Sequence, residues 1–582
     1  MPTKDNATES TITEDISARR AALDARFNNW PRNTIATHFY QACSTYPERM
    51  YIQTDNDSIT YKETWELAKN YAKALINLGV KRRDHVAMLM ENDVVYPALM
   101  IACSMVGAVF IPINTMLSKN ELKYILTQSD ARYLIMHQAT KNNPLAVSIT
   151  ALLNEEYFKK ETQLQEIVCL PNHNELLDER FLPWEKFCKK AELITDEKWQ
   201  ERWKASRYPD EVGAIIYTSG STGTPKGVML TDDMLLRSSY STCMSRAIED
   251  GRVTFAPLPF YHCYNLIEGI FAMSFVGGLL VAPRSFSPLS AMEMIEKYQA
   301  NDFLLVPTML VPFLNHPKLT EYDLSSLFAM WCGAAPAPIP VWKKAIELLG
   351  LTEIITGYGQ SEVASSGVTT ELGISLETLT TRVGRPKLGG VSGLPEFNGS
   401  NVEYKTVDIE TRETLPHGSV GELAVRGTTV SHGYYKKPEE TAKVIDKDGW
   451  LLTGDVGRLD ENGYIELIGR TKDIYKVSGE LVSPREVEEA ISKHPMVDQV
   501  AVIGVPDSLT TEAGAAFIEL KAGEDCKRKD ILSWCTDYLA RFKVPRHIWF
   551  IETTEWPLTS TGKVQKFRLK EIAEERLATR NK

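Results

Sequence analysis

The chain has 582 residues, 43% of them hydrophobic, and a net charge of −11. That length asks for several domains and that apolar share for large globular cores. The acidic balance, with no basic block, excludes nucleic acid as a main partner.

In chain order, residues 1–28 are polar and charged without a basic-then-apolar leader, so they are expected to fray. Thr60 and Glu63 have capping-box spacing ahead of Trp65, Ala68, Ala72, Leu75 and Leu78, and Gly79 supplies a helix stop. Val94 to Ile113 runs twenty residues without a charge, enough for a membrane span. Pro97, Gly107 and Pro112 punctuate it, so it reads as a buried helix to about Val106, a turn at Gly107 and a short strand. Ser118 and Glu121 repeat the capping box. Strand-like runs follow at Tyr133–Met136, Ile167–Leu170, Gly213–Tyr217 and Leu279–Ala282. Strands alternating with amphipathic helices predict a layered α/β architecture.

From Gly421 the texture becomes short alternating strands with Asp-Gly and Asn-Gly turns, predicting a small β-barrel-like subdomain. After Arg470, Ser483-Pro484 starts a helix, and Val500–Val505 and Ala515–Leu520 read as strands. The expected division is therefore a 1–28 terminus, a 29–471 domain of layered α/β sheets with its small β subdomain, and a mobile α+β domain over 472–582. Nine cysteines without a C-x-x-C pair fit reduced thiols in a cytoplasmic protein rather than a disulfide framework or a zinc site.

The densest chemistry lies in Tyr217 to Gly227, YTSGSTGTPKG. Glycines let backbone N–H groups turn toward phosphate oxygens, hydroxyls add donors, and Lys226 adds charge. It is not a Walker loop: Pro225 precedes the lysine and no Ser or Thr follows it. Four more clusters accompany it. They are PFYHCYN (Pro259 to Asn265), CGAAP (Cys332 to Pro336) with GYGQSE (Gly357 to Glu362), the Thr453–Glu488 stretch opening TGDVGRLDENGYIELIGRTKD, and PLTSTGKVQK (Pro557 to Lys566).

In this order and spacing the clusters resemble the adenylate-forming superfamily of acyl-CoA synthetases, luciferases and peptide-synthetase adenylation domains. The likeness runs from about Asn33 to Leu569 and points to the fatty-acyl-CoA synthetase type. It implies ATP-dependent activation of a hydrophobic acid to acyl-AMP and pyrophosphate, then transfer to coenzyme A. The implied cofactors are ATP, Mg2+ and coenzyme A. The implied partners are the acid and the thiol, with membrane contact peripheral at most and a homodimer allowed.

Residue by residue, the resemblance assigns Thr218, Ser219, Gly220, Ser221, Thr222, Gly223, Thr224 and Lys226 to the β- and γ-phosphates. Ala334, Ala335 and Pro336, with Gly357, Tyr358 and Gly359, would border the nucleotide, Tyr358 lying against adenine. Ser361 would reach the α-phosphate and Glu362 would hold magnesium, a hard cation suited to a carboxylate and phosphate oxygens. Asp455 would accept both ribose hydroxyls and Arg470 would add a second contact. Lys472 would be the hinge, Gly479 and Glu480 would approach coenzyme A, and His262 would gate the acyl tunnel. Lys563 would bridge carboxylate and α-phosphate, where transition-state charge builds.

Ala334 stands where many relatives carry glycine, which with Trp331 is expected to narrow the tunnel. Residues 384–402 carry roughly ten extra positions. Two other readings stay open: a ligase that loads a carrier protein in trans, and an ATP-binding module without turnover.

Overall fold

A computed structural model describes residues 4–141, 143–170, 178–206, 208–218, 224–335, 337–477, 480–507, 509–558 and 564–580. By compactness the chain divides into two units, Met1–Glu403 with Val425–Leu451, and Tyr404–Ala424 with Leu452–Lys582.

The first unit is built on two seven-stranded sheets. One runs Glu353–Ile355, Ala329–Cys332, Asp302–Leu305, Val253–Phe255, Leu279–Val281, Met50–Gln53, Ser58–Thr60. The other runs Leu182–Pro183, Glu166–Leu170, Ala131–His137, His85–Leu89, Val109–Pro112, Val212–Thr218, Lys226–Thr231. Both are parallel except for one antiparallel strand at an edge. Parallel strands need helical crossovers that cover both faces. Val95–Val106 is such a crossover, between His85–Leu89 and Val109–Pro112, and the helices Tyr61–Leu78 and Asp232–Ser245, which link one sheet to the other, share the largest core cluster with it.

Local signals hold where chemistry enforces them. Thr60 and Ser118 both close capping boxes, with Glu63 and Glu121 answering the N-cap backbone. Gly79 and Gly107 end their helices at φ +96° and +72°, a conformation that costs a glycine little. The uncharged stretch after Val94 is a twelve-residue buried helix followed by the strand Val109–Pro112. Among the described residues no helix is long and apolar enough to cross a membrane.

The N-terminal stretch, expected to fray, carries a helix, Lys4–Asp24, of which Ile16 and Leu23 are buried. Its charges anchor it, because Arg19 pairs with Glu249 and Glu353 and Arg20 donates to the Met244 carbonyl. The expected barrel-like subdomain is instead an open four-stranded sheet, Val402–Val407, Val420–Gly427, Leu451–Leu459, Ile465–Arg470, with no closing pair among the described residues. Three of its strands, Val402–Val407, Val420–Gly427 and Leu451–Leu459, change from one unit to the other along their length.

The second unit adds a five-stranded sheet. Its strands are Glu480–Val482, Tyr475–Val477, Thr511–Leu520 and Val497–Asp507, with His547–Phe550 parallel to Thr511–Leu520. Helix Pro484–Ser492 begins on proline as expected. The Ser483 hydroxyl, however, donates to the Ile468 carbonyl and leaves the helix N-terminus without a side-chain cap.

Candidate active site

In the first unit the phosphate-loop candidates hang between two antiparallel strands, Val212–Thr218 and Lys226–Thr231, with Thr218 opposite Lys226. Gly227 has no room for a side chain, since a Cβ there would meet Ile215 at 2.7 Å and Tyr217 at 3.0 Å. Thr224 is exposed. Ser219, Gly220, Ser221, Thr222 and Gly223 lie outside the described residues. The Lys226 side chain is only 12% exposed; its ammonium stands 3.0 Å from Glu440 and 4.7 Å from the centre of the Tyr434 ring. Lys443 and Lys226 together hold the Glu440 carboxyl down at about 2.

Tyr358 is buried on the strand Gly357–Gln360, paired with Val368 in an antiparallel hairpin that carries a bulge before Gly359. Bulges re-aim side chains, and this one precedes the turn bearing Ser361 and Glu362. Both are buried. The Tyr434 hydroxyl donates to Glu362 Oε1 at 2.9 Å, and the Ser431 amide donates to the Glu362 carbonyl at 2.8 Å.

His262 is exposed, and its Nδ1 accepts from the Tyr264 amide at 3.2 Å, capping the turn Cys263–Asn265. Cys263 Sγ lies 3.5 Å from Ser361 Oγ, so the PFYHCYN and GYGQSE segments meet. Burial pushes the Cys263 thiol up to about 11, which leaves it no thiolate for nucleophilic work at neutral pH. Behind them Tyr264 and Trp331 pack edge to face at 5.7 Å. A Cβ on Gly333 would come within 2.9 Å of the Tyr264 hydroxyl. Ala334 and Ala335 are exposed, and Ala334 holds φ +65°. Pro336 lies outside the described residues.

In the second unit Asp455 faces Arg470 across an antiparallel pair, with Arg470 Nε 3.3 Å from Asp455 Oδ1. Gly454 adopts φ +75° beside it, and its amide donates to Glu422 at 3.1 Å. Lys472 is exposed in the turn after Arg470, and Glu480 is exposed on its strand. Gly479 and Lys563 lie outside the described residues.

A divalent cation fits this chemistry. Among the described residues no cluster of three His, Cys, Asp or Glu could hold one alone. Magnesium is commonly bound by one carboxylate with phosphate oxygens and water, and a buried Glu362 offers that carboxylate.

Tyr434 and Glu440 were not legible in advance. Their segment, SHGYYKKPEE, reaches Lys226 and Glu362 only through long-range strand contacts, and no local spacing marks it.

Comparison with known proteins bears on this geometry. The model of the AMP-binding enzyme family matches residues 39–435, and that of the AMP-binding enzyme C-terminal domain matches residues 486–563. The putative acyl-CoA synthetase YngI of Bacillus subtilis (strain 168) is 33% identical over 93% of this chain and 97% of its own. The medium-chain fatty-acid–CoA ligase of Escherichia coli (strain K12) is 27% identical over 97% and 95%. The crystal structure of the anthranilate CoA ligase AuaEII in complex with anthranoyl-AMP superposes with TM-score 0.79 at 25% identity, covering 95% of this chain and 99% of its own.

Proposed function

We propose, from the premise that the chain belongs to the AMP-binding enzyme family and is an AMP-forming acyl-CoA ligase, that its acid is hydrophobic and that the residues above divide the chemistry among them. The observation that carries the reading is a convergence inside one compact unit. Cys263 touches Ser361, while Glu362 and Lys226 sit on either side of Tyr434.

A carboxylate is a poor acyl donor because oxide is a poor leaving group. Its oxygen therefore attacks the α-phosphorus of ATP, forming one P–O bond as the bond to pyrophosphate breaks. The loop from Thr218 to Lys226 orients the β- and γ-phosphates, and the Ser361 hydroxyl faces the α-phosphate. Glu362 would hold magnesium together with phosphate oxygens, and the cation would supply charge neutralisation for the triphosphate. Asp455, with Arg470 beside it, accepts the ribose hydroxyls. Lys563 meets the charge developing at phosphorus, and a turn at Lys472 serves as the hinge between half-reactions. In the second step the thiol of coenzyme A attacks the acyl carbon; a C–S bond forms and the C–O bond to AMP breaks.

The hydrophobic tail is favoured by the buried aromatic pair of Tyr264, two residues after His262, and Trp331. Nine unpaired cysteines fit a reducing compartment, and we place the protein in the cytoplasm. Carboxylate-dependent ATP–pyrophosphate exchange over acids of graded length and polarity tests the substrate class, with exchange expected to favour unbranched apolar acids. Preference for a short dicarboxylate would refute it.

A further inference from the structure

The segment from Ser431 to Glu440 runs under both phosphate-side groups. Its backbone pairs with the strand after the phosphate loop: Met229 N donates to Gly433 O at 3.0 Å, His432 N to Met229 O at 3.1 Å and Tyr435 N to Gly227 O at 2.8 Å. Gln128 donates to the Tyr435 carbonyl, and the Tyr435 hydroxyl donates to Asp130, each at 2.8 Å. Gly433 holds φ +90°, where a Cβ would strike Thr441 at 2.2 Å, and the Thr441 hydroxyl accepts the Tyr434 amide at 2.9 Å. Tyr434 is thus fixed at backbone and ring alike. Only 7% of it is exposed.

We infer that this strap carries two positioning residues with separate duties: Tyr434 orients the Glu362 carboxylate toward the metal, and Glu440 holds the Lys226 ammonium in place for the triphosphate. The inference rests on the function proposed above. A carboxylate in contact with a metal has a second oxygen that must be fixed, and the Tyr434 hydroxyl fixes Oε1. A lysine ammonium on a four-carbon stem samples many rotamers. Glu440 at 3.0 Å and the Tyr434 ring face at 4.7 Å leave Lys226 few of them.

The two duties separate experimentally. Binding of labelled ATP is measured by equilibrium dialysis in EDTA and then across a Mg2+ titration, alongside exchange kinetics. Tyr434→Phe keeps the ring and removes only the hydroxyl. It should leave metal-free ATP affinity unchanged and raise the Mg2+ concentration at half-saturation about 10-fold or more, the usual penalty for losing a partner of a metal ligand. Glu440→Gln should weaken metal-free ATP binding about two- to fivefold and leave the Mg2+ midpoint where it was, as suits a partly exposed ion pair. Glu440→Asp should recover part of that loss.

Parallel movement of both parameters in both variants, or tighter ATP binding by Glu440→Gln, overturns the inference. Glu440 is about one-third exposed, so its arm stands alone if Tyr434→Phe fails to fold. A wild-type protein without carboxylate-dependent exchange refutes the parent reading instead, whatever the variants do.

Discussion

Gly359 offers the sharpest link between backbone geometry and rate. A Cβ built there would lie 1.9 Å from the Ser365 carbonyl oxygen and 2.5 Å from the Ser366 Cα, both main-chain atoms that no rotamer change can move. Bringing the nearer contact to a tolerable distance means opening the Gly357–Thr369 hairpin by roughly 1 Å, and misplacement on that scale can cost about 100-fold in rate. Overpacking of this kind costs about 1–3 kcal/mol in stability. Gly359→Ala should therefore lower kcat/KM for carboxylate-dependent exchange about 100-fold, because Tyr358 and Ser361 ride on that hairpin. Gly373→Ala is the control: φ is +79° with nothing within 4 Å of its Cβ, so it carries left-handed strain of about 1–2 kcal/mol and no clash. Thermal unfolding should drop in both variants, and exchange only in Gly359→Ala. Wild-type exchange kinetics in a folded Gly359→Ala would refute the reasoning.

Three further outcomes are expected. Ala334→Gly should raise stability by about 1 kcal/mol as the strain at φ +65° is relieved, read as a higher Tm; it should also shift exchange toward longer acids, and unchanged chain-length preference would remove Ala334 from the tunnel. Lys563→Ala should abolish adenylation, leave ATP binding in dialysis largely intact, and spare thioester formation from preformed acyl-adenylate. Burial pushes the Asp232 carboxyl from its ordinary 3.8 up to about 6. The protonated form is favoured in the folded state, so this contribution to stability is full below 3.8 and lost as pH rises through 6. Asp232→Asn should therefore gain about 2 kcal/mol on the wild type between pH 4.5 and 7 in denaturant titrations.

What could be read in advance followed the range of the interaction. Thr60 with Glu63 and Ser118 with Glu121 are three residues apart, so their chemistry is complete within a short window of sequence. Gly79 and Gly107 were legible for the same reason. The N-terminal helix was not, because what orders it is Arg19 meeting Glu249 and Glu353 from across the chain, and a run of charges looks solvated until its partners are known. Asp455 and Arg470 were each identifiable from their motifs. Their direct pairing depends on a hairpin register in which Tyr464 and Asn462 amides turn on Asp460. Tyr434 lies 72 positions from Glu362, and Glu440 lies 214 from Lys226, distances at which periodicity carries no information.

The most direct test of the account follows oxygen. With a medium-chain acid labelled with 18O in its carboxylate, and with ATP, Mg2+ and coenzyme A supplied, one labelled oxygen should appear in AMP and pyrophosphate should stay unlabelled. Label in inorganic phosphate with ADP as the nucleotide product, or AMP without label, would contradict an acyl-adenylate and the mechanism built on it.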